Sequence, residues 1–304
     1  MSFFNKKKIL VTHDGTFHAD DLFATAALSI LNKGNIKIIR SRDPKVLEKG
    51  DYVYDVSGLY NPTTNHFDHH QKEGAGKRDN GIPYASFGLV WKTYGEKICG
   101  SKEVAEIIDI NLAQSIDAID NGVDIVKPIF GGVMPYSVIN LFYNYLPTWK
   151  ESNKNIDQIF KEQVREVEKL LLREIEVMKS FIEGKNIILE NYKNTEDKRI
   201  IIVDINFPRY LYQDTLSALP EPLYIVMPSG HSSMWKVEAV SKSPSTIESR
   251  KLFPEAWRGF LENDPKLKEI IGISDVTFCH RSGFLAITLS KESAIKLAEK
   301  ALLA

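Results

Sequence analysis

The stretch Lys8-Ile9-Leu10-Val11-Thr12-His13-Asp14-Gly15-Thr16-Phe17-His18-Ala19-Asp20-Asp21-Leu22 decides the fold class. Lys8 to Thr12 reads as a short buried strand that breaks at His13-Asp14-Gly15. From Asp20 to Leu31 the residues Leu22, Ala26 and Leu28 to Leu31 give a helix its apolar face. Two further strands are predicted at Ile36 to Ile39 and Tyr52 to Val56, with a helical turn from Pro44 to Glu48 between them. Strand and helix alternating in this way predict an α/β domain with a parallel sheet flanked by helices.

Further along, helices are predicted over Ala85 to Tyr94, over Lys102 to Asp120 with a stop at Asn121-Gly122, and over Tyr136 to Tyr145. A long helix from Ile156 to Ile182 is amphipathic through Ile159, Val164, Val167, Leu170, Leu171, Ile175 and Met178, and reads as a connector. Beyond it, strands are predicted at Ile187 to Glu190, Ile200 to Asp204, Leu223 to Met227, Trp235 to Val240, Val276 to His280 and Phe284 to Thr288. A last helix runs from Lys291 to Leu302. The expected organisation is a catalytic domain over residues 1–150, a connecting helix over 151–185 and a smaller α/β domain over 186–304. At about 150 residues per domain, a chain of 304 residues has room for two.

Thirty-nine Lys and Arg oppose 40 Asp and Glu, so no overall positive field gathers nucleic acid and any polyanion must be met locally. A composition of 43% hydrophobic and 26% charged residues excludes a disordered chain and a fibrous repeat. Cys99 and Cys279 lack the spacing of a zinc knuckle and the density of a disulfide scaffold, and are expected to be buried thiols. Phe3 and Phe4 are followed at once by Asn5 and Lys6 to Lys8, which does not make a signal peptide. No run approaches the roughly 20 apolar residues that span a bilayer, so no membrane partner is expected and the cytoplasm is the default location.

Histidine is the informative imbalance: of seven, His13, His18, His66, His69 and His70 fall in the first 70 residues. Three strings carry the chemistry, His13 to Asp21, Asp55-Val56-Ser57-Gly58 and His66-Phe67-Asp68-His69-His70. The first two begin where predicted strands end, and ligands of open α/β sheets gather at the carboxyl ends of strands. Imidazole and carboxylate without thiolate suit Mn²⁺, Fe²⁺, Zn²⁺ or Mg²⁺, and the ligands outnumber what one structural zinc needs. Each residue also has a plainer role: Asp20 and Asp21 favour a helix N-terminus, Asp55 caps a turn, the histidines are polar surface. Their coincidence in three strings is what those roles do not explain. Asp117 and Asp120 share a helix face in a last turn, where the dipole opposes carboxylates unless a cation stands nearby. The alternative for both is an ordinary solvent-facing acid.

With Asp68-His69-His70, the upstream His and Asp cluster, the strand-ending Asp55 and the helical Asp120, the chain resembles the DHH phosphoesterase superfamily. More closely, His13 to Asp21 and Ile116-Asp117-Ala118-Ile119-Asp120-Asn121-Gly122 are similar to the melanocyte proliferating gene family. The likeness continues through Ser86-Phe87-Gly88-Leu89-Val90-Trp91, Ser249-Arg250, Pro254 to Gly259 and His280-Arg281-Ser282-Gly283-Phe284. Asp14 and Asp21 depart from the family pattern, where Asn and Glu are common at these places. The resemblance implies a DHH-like first domain and a metal-dependent 3′ to 5′ RNA exonuclease that releases 5′-mononucleotides. It implies two Mn²⁺, with Mg²⁺ as the alternative, held by His13 or His18 with Asp20, by Asp21, by a bridging Asp55, and by Asp120 with His69 alone or with His69 and His70 together. Asp117 joins the candidate ligands, and Asp68, His69 and His70 are the candidate catalytic residues. Ser249, Arg250, Arg258, His280 and Arg281 are implied to hold substrate phosphates from the second domain. The implied partner is RNA or a short oligonucleotide. A homo-oligomer is left open, and so are nucleus and mitochondrion for a eukaryotic source. Two rivals remain: a hydrolase of a small phosphate compound such as a dinucleotide or pyrophosphate, and a non-catalytic module that keeps a structural metal.

Overall fold

The computed structural model describes residues 6–151, 154–230, 233–244 and 246–304, so Phe3, Phe4 and Asn5 lie outside the described residues. The chain divides into two compact units between Lys179 and Ser180.

The first unit opens with β1 (Lys8–Thr12), whose Leu10 and Val11 are wholly buried, as a strand covered on both faces requires. It is followed by α1 (Ala19–Leu31), β2 (Ile36–Arg40), α2 (Pro44–Leu47), β3 (Tyr52–Tyr54), β4 (Tyr60–Asn61) and β5 (His66–Phe67). The sheet order is β2-β1-β3-β5-β4. β1 pairs parallel with β2 and β3, β3 pairs parallel with β5, and only the edge strand β4 runs antiparallel. The expected parallel sheet is therefore a mixed sheet with a parallel centre. All the strand ends that matter below belong to that centre.

Helix α3 (Ser86–Cys99) packs along α1, joined by Phe23 and Phe87 with ring centroids 5.3 Å apart. The helix expected over Lys102 to Asp120 is one helical run with a change of winding: α4 (Lys102–Ile108), a π-helical turn (Asp109–Ala113) and α5 (Gln114–Asp120). It stops as the Asn-Gly pair requires, with Gly122 at φ +70°. Next come α6 (Val138–Tyr143) and α7 (Ile156–Asn194). Among the described residues no helix is long and apolar enough to cross a membrane.

The strand expected at Ile187 to Glu190 does not exist; these residues belong to α7, which runs 12 residues past Ile182. The run Ile187-Ile188-Leu189 looked like a strand because β-branched residues favour one. No Pro interrupts the helix there, Gly184 stays helical where its missing side chain lets Leu211 and Phe207 approach, and the 3.6-residue period carries Ile188 into a core with Ile201, Phe207 and Leu211.

The second unit holds β6 (Ile200–Ile202), α8 (Arg209–Ser217), β7 (Tyr224–Pro228), β8 (Trp235–Ala239), α9 (Pro265–Ile271), β9 (Val276–Cys279), β10 (Leu285–Thr288) and α10 (Lys291–Leu303). Its sheet order is β6-β7-β8-β10-β9, parallel only between β6 and β7. Both cysteines are free and buried, as expected.

A strand would set residues 188 and 190 on one face; the helix buries Ile188 and exposes Glu190. Ile188→Ala should lower the unfolding free energy by about 2–5 kcal/mol. Glu190→Lys should change it by about 0.5 kcal/mol or less, both read by denaturant melts.

Candidate metal centre

Three parallel strands end at one edge of the first sheet, and each hands a group to the same place. β1 is followed by His13, β3 by Asp55, and β5 by Asp68, His69 and His70, while the first turn of α1 brings Asp20 and Asp21 and the last turn of α5 brings Asp120. Asp55 leaves its strand at φ +54°, in the left-handed region, which Asp tolerates better than most residues. That turn aims its carboxylate between two imidazoles. His13 Nε2 lies 3.2 Å from Asp55 Oδ2 and 3.2 Å from Asp21 Oδ2. His69 Nε2 lies 3.4 Å from Asp55 Oδ1 and 3.2 Å from Asp120 Oδ2.

Four of these atoms, His13 Nε2, Asp21 Oδ2, Asp55 Oδ1 and His69 Nε2, are buried without a hydrogen-bond partner. Buried polar atoms are normally satisfied, so four converging orphans call for a missing partner. Two ligands about 2.1 Å from one divalent ion, set 90–109° apart, stand roughly 3.0–3.4 Å from each other. The spacing here fits. His13 Nδ1–H donates to the Asp14 carbonyl at 2.9 Å, which turns Nε2 toward the centre, the usual support of a metal-binding imidazole. Three groups bring ligand atoms within 4.8 Å of one another: His13, His18 and Asp55; Asp55, His69 and His70; Asp20, His69 and Asp120. Asp55 and His69 each belong to two of the three.

The electrostatics agree. Burial works against a charged His13, but Asp21 and Asp55 outweigh it and hold the imidazolium up to about 10. His69 meets the same contest between burial and the pair Asp120 and Asp55, and is held up to about 11. Burial, reinforced by Asp120 and Asp55, pushes the Asp20 carboxyl well up, and burial also raises Asp21. Burial acts on Asp55 too, but His13 and His69 outweigh it and hold its carboxyl low. An acid cluster that grips protons this firmly is short of positive charge.

Several groups frame the centre. The Asp20 oxygens accept from the Ser86 amide at 3.0 Å and the Phe87 amide at 2.7 Å, at the start of α3. Asp68 accepts from the amides of Gly58, His69 and His70 and from His70 Nδ1 at 2.8 Å, so it orients its neighbours. His70 lines a cavity of ≈ 320 Å³, which His13, His18, Arg42, Asp55, Ser57 and Asp68 also line. A smaller cavity of ≈ 130 Å³ lies among His18, Asp20, Asp120, Ile139 and Tyr143.

Asp117 stands behind this group, outside the three ligand clusters. It is fully buried, bonded to Arg78 Nη1 at 2.7 Å and to the Gly88 amide at 3.0 Å. Burial, partly offset by Arg78, raises its carboxyl to about 7. The cation that a last-turn carboxylate calls for is thus Arg78 for Asp117 and the His69 ring for Asp120. His66 stays out of the centre, its Nδ1 held at 3.0 Å from both the hydroxyl and the carbonyl of Thr64. In the second unit, Arg250 donates to the carbonyls of Ser217 and Pro222, and Arg258 Nε donates to the carbonyl of Phe253. Ser249 bridges to Ser241, His280 Nδ1 accepts from the Ser282 amide, and Arg281 is exposed. The sequence reading did not find Arg42, Arg78 or Tyr143. Arg42 alone had a signal, because it follows β2 at the sheet edge that carries His13.

Comparison with known proteins places these observations in a family. Residues 9–302 match the family model MYG1_exonuc, described as "Uncharacterised protein family (UPF0160)". The chain is 32% identical to a MYG1 protein of Schizosaccharomyces pombe, over 96% of this chain and 97% of that one. It is 28% identical to the MYG1 exonuclease of Mus musculus and 27% identical to that of Homo sapiens. These alignments cover 96% of this chain and 84% and 85% of those proteins.

Mn²⁺ should stabilise the folded chain by about 2.7 kcal/mol at a hundred times its Kd, read as a rise in Tm. Asp55→Asn, which keeps the left-handed backbone, should lose most of that rise. A β-carbon at Gly88 would stand 1.8 Å from Asp117 Oδ2 and 2.8 Å from Arg78 Nη2. Gly88→Ala should therefore destabilise by about 1–3 kcal/mol by thermal melting, although Ala is the better helix former by about 1 kcal/mol.

Proposed function

Because the chain belongs to the MYG1_exonuc family, we propose that it is a divalent-metal-dependent phosphodiesterase, a 3′ to 5′ RNA exonuclease that releases 5′-mononucleotides. The observation that carries this reading is the set of four buried, unpartnered ligand atoms on His13, Asp21, Asp55 and His69. The names of the murine and human relatives supply the nuclease class; the preference for RNA and the direction are this reading's own.

His13, His18, Asp20, Asp21, Asp55, His69 and Asp120 would hold two Mn²⁺ or Mg²⁺, with Asp55 shared between them. Bound there, the ions supply an activated water and neutralise charge on the phosphate. The chain's own groups do the rest. Asp55 and the two imidazoles beside it set where the reacting phosphate sits. Asp68 fixes the His70 ring through Nδ1, and in this reading that ring, which lines the larger cavity, hydrogen-bonds a phosphate oxygen as charge develops. Asp20 is kept in place by the Ser86 and Phe87 amides. Asp117, engaged by Arg78 and Gly88, supports α3 from behind and takes a positioning part in this account.

Among the second-unit candidates, the substrate-phosphate role falls first to Arg281, which is exposed, since Arg250 and Arg258 brace backbone carbonyls of their own unit. Ser249 and His280 have backbone partners of the same kind. The substrate partner is RNA or a short oligonucleotide.

Purified chain with Mn²⁺ should shorten a 5′-labelled oligoribonucleotide in single-nucleotide steps and release labelled mononucleotide from a 3′-labelled one. EDTA should stop both. His69→Ala or Asp55→Asn should lower kcat/KM by about a hundredfold or more, the loss of a ligand exceeding the 10–100-fold loss of an outer-shell support such as Asp68→Asn. If turnover with Mn²⁺ is confined to a dinucleotide or pyrophosphate, the small-substrate rival replaces this reading. If nothing is hydrolysed with any divalent ion, the enzyme reading fails.

A further inference from the structure

Three arginines lie close to the sheet edge or the supports behind it, and two of them are committed. Arg40 is buried, with Nη1 donating to Asp157 at 2.8 Å and Nη2 to the Gly15 carbonyl at 2.8 Å. Arg78 is forked onto Asp109 and bonded to Asp117. Arg42 is different. Among the described residues its one ion pair is with Asp14 at 3.2 Å, and the two side chains are 63% and 56% exposed.

Arg42 also lines the ≈ 320 Å³ cavity, together with groups of the metal centre: His13, His18, Asp55, Asp68 and His70. Among the described residues it is the only arginine or lysine lining that cavity. A phosphodiester entering there meets Asp55 and Asp68 and needs a positive group of the protein in the same cavity. The guanidinium offers a planar fork that matches two phosphate oxygens, with donors to spare beyond the Nε that faces Asp14. Asp14 is a weak competitor, because an exposed ion pair is worth at most about a fivefold effect. A phosphate brings several acceptor oxygens to the same fork, so it displaces Asp14 readily.

We propose that Arg42 is the substrate-phosphate clamp of the metal centre, and that Asp14 occupies it until a phosphate displaces it. This rests on the phosphodiesterase reading above and adds a residue and a competitor to it. A phosphate-binding cation then stands within the first unit, in the cavity that the ligands line and at the carboxyl end of the neighbouring strand, in addition to Arg281 of the second unit. The two residues make opposite predictions, which a merely structural pair would not do. Removing Arg42 loses a clamp; neutralising Asp14 frees one and removes a negative charge from the entrance.

The test is equilibrium binding of a 5′-fluorescein-labelled oligoribonucleotide by anisotropy with Ca²⁺ in place of Mn²⁺, repeated over a range of salt, beside turnover with Mn²⁺. Arg42→Ala should weaken binding roughly tenfold to a hundredfold, and Arg42→Lys should recover part of that loss. The slope of log K against log salt should fall by about 0.7 for the lost phosphate contact. Asp14→Asn should tighten binding by up to about fivefold. The Mn²⁺-induced rise in Tm should survive in all three variants, which separates clamping from metal binding. If wild type binds and cuts RNA while Arg42→Ala keeps its affinity and its slope, the clamp is overturned and the nuclease reading stands. If wild type neither binds nor cuts RNA, the nuclease reading fails. Adenosine 5′-monophosphate then decides the clamp by calorimetry, and equal affinity in wild type and Arg42→Ala overturns it.

Discussion

The structure depends on the repulsion among four carboxylates that the fold forces together. Asp20 and Asp21 are wholly buried and Asp55 is 3% exposed, and ligand atoms of Asp20 and Asp120 lie within 4.8 Å of each other. Two unit charges at that distance repel by about 3.5 kcal/mol at an effective dielectric constant near 20, before any cost of leaving water. Nothing in packing offsets such a term. What offsets it is the interleaving of imidazole and acid, His13 between Asp21 and Asp55 and His69 between Asp55 and Asp120. Those rings keep their protons because the acids need them. The same demand, met by divalent ions, is the physical reason the centre reads as a metal site.

The scaffold pays for this arrangement at identifiable places. Parallel strands put three chain exits on one edge, so His13, Asp55 and His69 converge without long loops. Asp55 accepts a left-handed backbone, and Ser57 at φ +102° and Gly58 at φ +65° complete the sharp exit. The Gly58 amide released by that turn goes to Asp68, which in turn orients His70. Asp20 is steadied by amides at the start of α3, where the helix dipole favours a negative group. Asp20, Asp21 and Asp68 therefore each have a backbone amide that fixes their direction, whereas Asp55 and Asp120 are oriented by the imidazoles of the centre itself.

Much of this was legible in the sequence. The strand over Lys8 to Thr12 and the helix stop at Asn121-Gly122 are local signals, an apolar run and a turn pair, and the structure has both. The convergence of three strings was inferred from strand ends, and the sheet brings His13, Asp55 and His69 to one edge. Ile187 to Glu190 misled because residue type favoured a strand where helix period and core contacts prevailed. The antiparallel β4 and the two-residue β5 are too short to leave a periodic pattern. Asp117 shows a different limit. Three-residue spacing from Asp120 sets both on the inner side of α5, but only tertiary structure says that Arg78, 39 residues away, occupies one of them.

The three arginines make the same point in energetic terms. Arg78 is the same residue type as Arg42, yet breaking its buried pair with Asp117 costs about 3–5 kcal/mol, whereas an exposed pair contributes about 1 kcal/mol or less; Arg40 lies between, its own side chain buried and its partner Asp157 half exposed. Arg40, packed 4.6 Å from the Phe160 ring and bonded to the Gly15 carbonyl, holds the loop that carries His13. Arg78 locks Asp117 against α3. Both are spent on keeping the acid centre in shape, which leaves their charge unavailable to a substrate. A guanidinium serves the reaction only where burial has not already claimed it, and at this edge of the sheet that condition selects Arg42.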